Sequence, residues 1–226
     1  MTFDLPHAET LAPALPLLDL NPLSPEVQTV SVYGKARGLA RLKDFRRLHT
    51  LWISGLTESQ ADIVGALPEL KSLVIHDLRP PSLRNLAGLK SLERLAICGV
   101  SRLKTLEGIQ SLQHLRELFL VIVTGLESLD PLSALDNLEV LSIDGGLYKN
   151  LRLPSFKPLS GLSQLRRLRL AGVSVVDRSL RPLHDLSGLR DVFIGSPFSR
   201  KELVALAAAL PFARGEMLDS LRGDAA

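Results

Sequence analysis

Residues 92–123 read LERLAICGVSRLKTLEGIQSLQHLRELFLVIV, and the fold follows from how that stretch repeats itself. Leu92, Leu95 and Ile97 return 23 residues later as Leu115, Leu118 and Leu120, an LxxLxI spacing in both places. The fourth and sixth motif positions alternate with the third, fifth and seventh, the two-residue period of a strand whose successive side chains face opposite ways. Between the two copies an apolar side chain falls at every third residue, Leu103, Leu106, Ile109, Leu112 and Leu115, a spacing that eclipses side chains on a 3₁₀-like turn. Each copy therefore predicts one short strand followed by a tight outer return.

The motif occurs eight times, as Val27/Val30/Val32, Leu48/Leu51/Ile53, Leu70/Leu73/Ile75, Leu92/Leu95/Ile97, Leu115/Leu118/Leu120, Leu138/Leu141/Ile143, Leu165/Leu168/Leu170 and Leu189/Val192/Ile194. Successive copies are 21, 22, 22, 23, 23, 27 and 24 residues apart. No copy can bury its apolar stripe alone, whereas stacked copies share one core behind a parallel sheet. Composition agrees: 50 of 226 residues are leucine and only 4% are aromatic, so one branched side chain builds the interior. The expected fold is an α/β solenoid, with a parallel inner sheet of about eight short strands, a mostly 3₁₀ or loop outer side, and a C-terminal capping helix. One outer segment differs, TESQADIVGAL at residues 57–67, where Thr57 and Gln60 form a capping box ahead of an α-helix. Glycine fills the eighth position in five copies (Gly34, Gly55, Gly99, Gly145, Gly172), where a turn off the strand suits positive φ.

This pattern resembles the leucine-rich repeat family over about residues 27 to 196. It departs from the family at the ninth position, where Asn or Cys is usual and this chain has Leu56, Leu78, Val100, Val123 and Val173, so burial must hold that turn. The resemblance implies a horseshoe that serves as a recognition scaffold, as in the short-repeat bacterial and phosphatase-regulating members. The expected organisation is an irregular N-terminal cap at 1–26, the array at 27–198, a capping helix at 199–211 and a flexible tail at 212–226. The cap holds five of the 14 prolines; the helix opens on Ser199 and Glu202 as an S-x-x-E box, with Leu203, Val204, Leu206, Ala207 and Leu210 at helical spacing.

A single cysteine, Cys98, excludes an internal disulfide framework and suits a reducing compartment. The N-terminal segment lacks a basic stretch, and no apolar run approaches a spanning helix, so a soluble, cytoplasmic chain is expected, with no membrane contact. Net charge is +3 but uneven: residues 1–148 carry 14 basic and 17 acidic side chains, residues 149–201 carry 11 and 3, and residues 202–226 carry 2 and 4.

No GxSxG, GxxxxGK[ST], GxGxxG, HExxH or CxxC is present, so neither catalysis, cofactor nor metal is expected. Repeat geometry can still assemble what linear spacing conceals. The seventh position reads Tyr33, Ser54, His76, Cys98, Val121, Asp144, placing His76 beside Cys98. The fifth reads Ser31, Trp52, Val74, Ala96, Phe119, Ser142, Arg169, Phe193, in which Trp52 to Phe119 form an exposed apolar ribbon expected to add little to the core. Arg167 and Arg169 project inward from one strand, placed to grip a carboxylate or phosphate. The expected partner-binding residues are thus Tyr33, Trp52, Val74, His76, Phe119, Asp144, Arg167, Arg169 and Phe193. The function they suggest is non-catalytic binding of another protein, one with an acidic patch, on the concave face, as an inhibitor or immunity-type binder; a homodimer through that face would use the same residues. The alternatives are nucleic-acid or other polyanion binding through the basic repeats, disfavoured because the face lacks a basic groove interleaved with aromatics, and a Cys/His-dependent enzyme.

Overall fold

A computed structural model describes residues 15–146, 150–195 and 198–223. Eight strands arise where the motif predicts them: β2 (Thr29–Arg37), β3 (Thr50–Leu56), β4 (Ser72–Leu78), β5 (Arg94–Val100), β6 (Glu117–Val123), β7 (Val140–Asp144), β9 (Arg167–Ala171) and β11 (Asp191–Gly195). They join one parallel sheet in chain order, since each return brings the next copy alongside the last. The sheet has a ninth strand, β1 (Leu17–Asp19), on the edge beside β2. It comes from the segment expected to be an irregular cap, and Arg41 holds that segment down by donating to Leu20 O at 2.7 Å and Leu23 O at 3.3 Å. Residues 1–14 of that cap lie outside the described residues.

The outer side carries 3₁₀ turns at Leu39–Asp44, Arg84–Leu86, Ile109–Ser111, Asp130–Ala134, Lys157–Leu159 and Arg181–Leu183, each burying the leucine or isoleucine that recurs every third residue. One repeat carries α1 (Glu58–Gly65) instead. At its start Gln60 Oε1 accepts from the Thr57 amide at 2.8 Å, while Gln60 Nε2 donates to Gly34 O at 2.8 Å, tying the helix to the preceding repeat. The 27-residue repeat uses its extra length for β8 (Leu151–Leu153), which pairs in parallel with β10 (Val173–Val175) as a second small sheet.

The turn off each strand is left-handed at Gly55, Gly99 and Gly172, but also at Asp77 (φ 54) and Ile122 (φ 56), so position rather than residue type imposes it. Gly34 and Gly145 stay out of that region and are needed for a different reason. A Cβ there would stand 2.4 Å from Gly55 O and 2.1 Å from Gly172 O respectively. The ninth-position side chains Leu56, Leu78, Val100, Val123 and Val173 are all buried, which holds the turn where the family's asparagine ladder is missing.

At the C-terminus the helix cap differs from the expected capping box. Ser199 does cap α2 (Arg200–Ala209), accepting from the Glu202 amide at 3.3 Å. The Glu202 carboxylate, however, does not reach back; it accepts from the Leu180 amide at 2.6 Å and fastens the helix to the last repeat. Residues 212–223, expected as the start of a tail, carry secondary structure and buried side chains. Arg214 bridges Asp191 in parallel, Ala213 and Leu218 are fully buried, and α3 (Glu216–Gly223) follows. Arg214 N donates to Arg190 O at 2.6 Å as Arg190 N does to Arg166 O, so Ala213 falls 24 residues after Leu189 and Leu210 24 after Leu186, a truncated ninth copy whose alanine hides the motif. Arg222 then donates to Ala207 O at 3.2 Å and Leu210 O at 2.6 Å, carbonyls at the end of α2, and to Ala213 O at 2.7 Å beyond it.

Candidate functional site: the concave face

Register across the sheet sets the inward residues in three columns. The third position runs Thr29, Thr50, Ser72, Arg94, Glu117, Val140, Arg167, Asp191, each paired with the next. The fifth runs Ser31, Trp52, Val74, Ala96, Phe119, Ser142, Arg169, Phe193, and the seventh begins Tyr33, Ser54, His76, Cys98, Val121, Asp144. Every expected site residue therefore lies on this face.

Their exposure differs from expectation. Val74 is 2%, Ala96 0% and Phe119 6% exposed, and with Val140 they form a second apolar cluster separate from the main core. Trp52 and Val121 are half-buried at its margin. Strands spaced about 4.8 Å apart bring inward side chains into mutual contact, and long neighbours close over the short ones. Arg94 does this, its guanidinium lying 5.2 Å from the Phe119 ring centre and 3.4 Å from Glu117. The apolar ribbon is thus mostly a buried stripe, and Trp52 with Tyr33 are its accessible aromatics.

Several inward groups are already engaged. The Trp52 and His76 rings stand 4.9 Å apart, tilted at 41°. Arg169 lies 4.3 Å over the Phe193 ring, so these two form one unit rather than separate anchors. Asp144 Oδ1 accepts from the Gly146 amide at 2.7 Å and shapes the turn at the rim. Arg167 is exposed between Val140 and Asp191. Lys149, counted in the basic block, lies outside the described residues.

His76 and Cys98 are neighbours in register, as the column predicts. Burial raises the Cys98 thiol to about 11 and lowers the His76 imidazole, so both favour their neutral forms. A thiol raised that far carries little thiolate, the nucleophilic form, near neutral pH. Among the described residues no group of three or more His, Cys, Asp or Glu side chains could hold a metal ion. No helix among them is long and apolar enough to cross a membrane.

Two features of the face were hidden from sequence reading. One is a hollow of about 460 Å³ beside the third-position column, lined by Thr50, Ser72, Val74, Arg94 and Glu117 with Lys71 at its rim. The other is a set of buried polar atoms lacking any hydrogen-bond partner: Ser31 Oγ, Trp52 Nε1, His76 Nε2, Ser142 Oγ and Arg169 Nε. Arg94 Nε joins them, with only the 3.4 Å approach of Glu117. Among the described residues the one such atom off this face is His184 Nε2.

The sheet, its registered inward columns and the tight outer returns are those of the leucine-rich-repeat fold. Solved structures similar to it include an internalin of Listeria monocytogenes at a TM-score of 0.64 and 16% identity, covering 86% of this chain and 58% of the internalin. An internalin C2 of the same species matches at 0.57 and 23% identity, over 76% of this chain and 74% of its own. The ectodomain of the Arabidopsis thaliana receptor kinase GASSHO1/SCHENGEN3, solved in complex with Casparian strip integrity factor 2, matches at 0.55 and 20% identity, over 79% of this chain and 22% of its own. The chain thus spans less than two thirds of the first of these. At such identities the likeness is one of fold. No family model and no curated protein matches the chain.

Proposed function

We propose that this protein is a non-catalytic binding scaffold that seats a partner protein on its concave face, in a reducing, cytoplasmic setting. The observation that carries the reading is the concentration of unpartnered buried polar atoms there, five of them on the fifth and seventh columns between Ser31 and Arg169. Each such group costs about 1–3 kcal/mol when left unmade, and native proteins hold few of them. These atoms are covered within the chain itself, so a partner reaches them as the half-buried Trp52 and its neighbours turn aside, and seating it there exchanges unmet groups for paired ones. Arg167 and the Arg169–Phe193 pair give the C-terminal end of the face its preference for acidic side chains. The lone thiol, buried and far from nucleophilic, fits the reducing setting. The reading is tested by using the chain as bait in a lysate of its own source. A partner retained by the wild type and by Lys104→Ala, on the outer side, but lost with Trp52→Ala and with Arg167→Glu/Arg169→Glu supports it. Retention by all four chains would move the interface elsewhere, and release that tracks salt alone would favour a polyanion instead.

A further inference from the structure

Ion pairs between neighbouring repeats run along the first two thirds of the array: Glu26 with Arg47, Lys71 with Glu93, Arg84 with Glu107, Lys104 with Glu127 and Arg116 with Glu139, at 2.6–3.5 Å. Each repeat there answers a base with an acid one turn away. Beyond Glu139 that arrangement gives way to the segment with 11 basic and 3 acidic residues. Among the described residues, Arg152 on β8 and Arg178 in the turn after β10 have no side-chain ion-pair or hydrogen-bond partner.

These two arginines line one hollow of about 420 Å³ beside the small second sheet, together with Asn150, Ser174, Val176 and Phe198, and no carboxylate is among its described lining residues. The nearest in the chain, Asp177, accepts from the Ser179 amide at 3.2 Å instead. Arg178 holds φ at 51°, a left-handed backbone that disfavours any residue with a Cβ. The strained backbone thus carries one of two like charges lining the same hollow, and such outliers cluster where a ligand uses them. One wall is apolar and fixed: Phe198 packs against the fully buried Phe156 with ring centres 6.1 Å apart. None of the lining residues belongs to the inward columns, so this hollow is independent of the concave face.

We propose that the hollow is a binding site for a phosphomonoester. The guanidinium groups of Arg152 and Arg178 grip the phosphate oxygens, and Asn150 and Ser174 complete the donor set. The organic part of the ligand lies along Phe198 and Val176. Two uncompensated positive charges match the dianion of a terminal phosphate better than a carboxylate or a phosphodiester, each of which brings one charge.

Phenyl phosphate titrated into the whole chain by calorimetry at low salt tests the assignment. The expected result is saturable binding at one site, several-fold tighter than inorganic phosphate because the ring meets the apolar wall. Arg152→Ala and Arg178→Gly should each weaken it by about tenfold or more, and Trp52→Ala should leave it unchanged. Arg178→Gly separates binding from folding, since glycine suits φ 51° and its melting temperature should hold or rise while affinity falls. Absence of saturation in the millimolar range, full affinity in Arg178→Gly, or benzoate binding as tightly as phenyl phosphate would each overturn the proposal.

Discussion

Truncating Phe119 to alanine removes a ring that faces the concave side yet is only 6% exposed, packed among Val74, Ala96 and Val140. A phenylalanine cut to alanine in a closed core costs about 3–5 kcal/mol. Here the cluster is a single layer, and the Arg94 guanidinium 5.2 Å above the ring can settle into the gap with its aliphatic stem. The cost should therefore be lower, about 2–3 kcal/mol. For a chain of this size that is a fall in melting temperature of about 4–12 °C. Leu118→Ala, one residue earlier and fully buried in the main core, should cost more, about 3–5 kcal/mol. Urea and thermal unfolding followed by circular dichroism would compare the two, with hydrogen exchange on β5 to β7 showing whether the loss stays local, as a repeat array permits. A Phe119→Ala melting temperature within about 1 °C of wild type would refute the reasoning, because it would mean the ring stands in solvent and the second cluster does not exist.

Cys98 should resist alkylation at neutral pH in the native chain and react only on unfolding, because burial raises its thiol from 9.0 to about 11. The folded state keeps the proton while the unfolded state releases it near 9.0. The thiol's contribution to stability is therefore complete below that pH and is lost between 9.0 and about 11, a decline that Cys98→Ala should abolish in pH-dependent melts. Glu202→Ala should release α2 from the last repeat by orphaning the Leu180 amide it accepts from at 2.6 Å, lowering stability by about 1–2 kcal/mol, with exchange protection lost first over residues 199–223.

Much of the site was legible in spacing. A repeat of 21–24 residues with strand alternation requires that Trp52, Val74, Ala96 and Phe119 share one column, and the register pairs them so. The capping box at Thr57 and the every-third-residue 3₁₀ returns were equally legible, because both depend on residues close in the chain. The truncated ninth copy escaped because Ala213 stands where the motif has leucine, though Leu210 at 24 residues after Leu186 was the available signal.

Amino-acid order alone determined which side chains turn inward, since direction along a strand alternates with position and nothing else. How far each is covered was decided only by the folded array. Phe119 is hidden because Arg94 of the neighbouring strand lies across it, Arg169 is engaged because Phe193 comes to lie beneath it, and Cys98 is protonated because strands on both sides exclude water. Burial, charge state and unmet hydrogen bonds depend on what the adjacent repeats place within a few ångströms, a distance that sequence separations of 22 or 24 residues do not express.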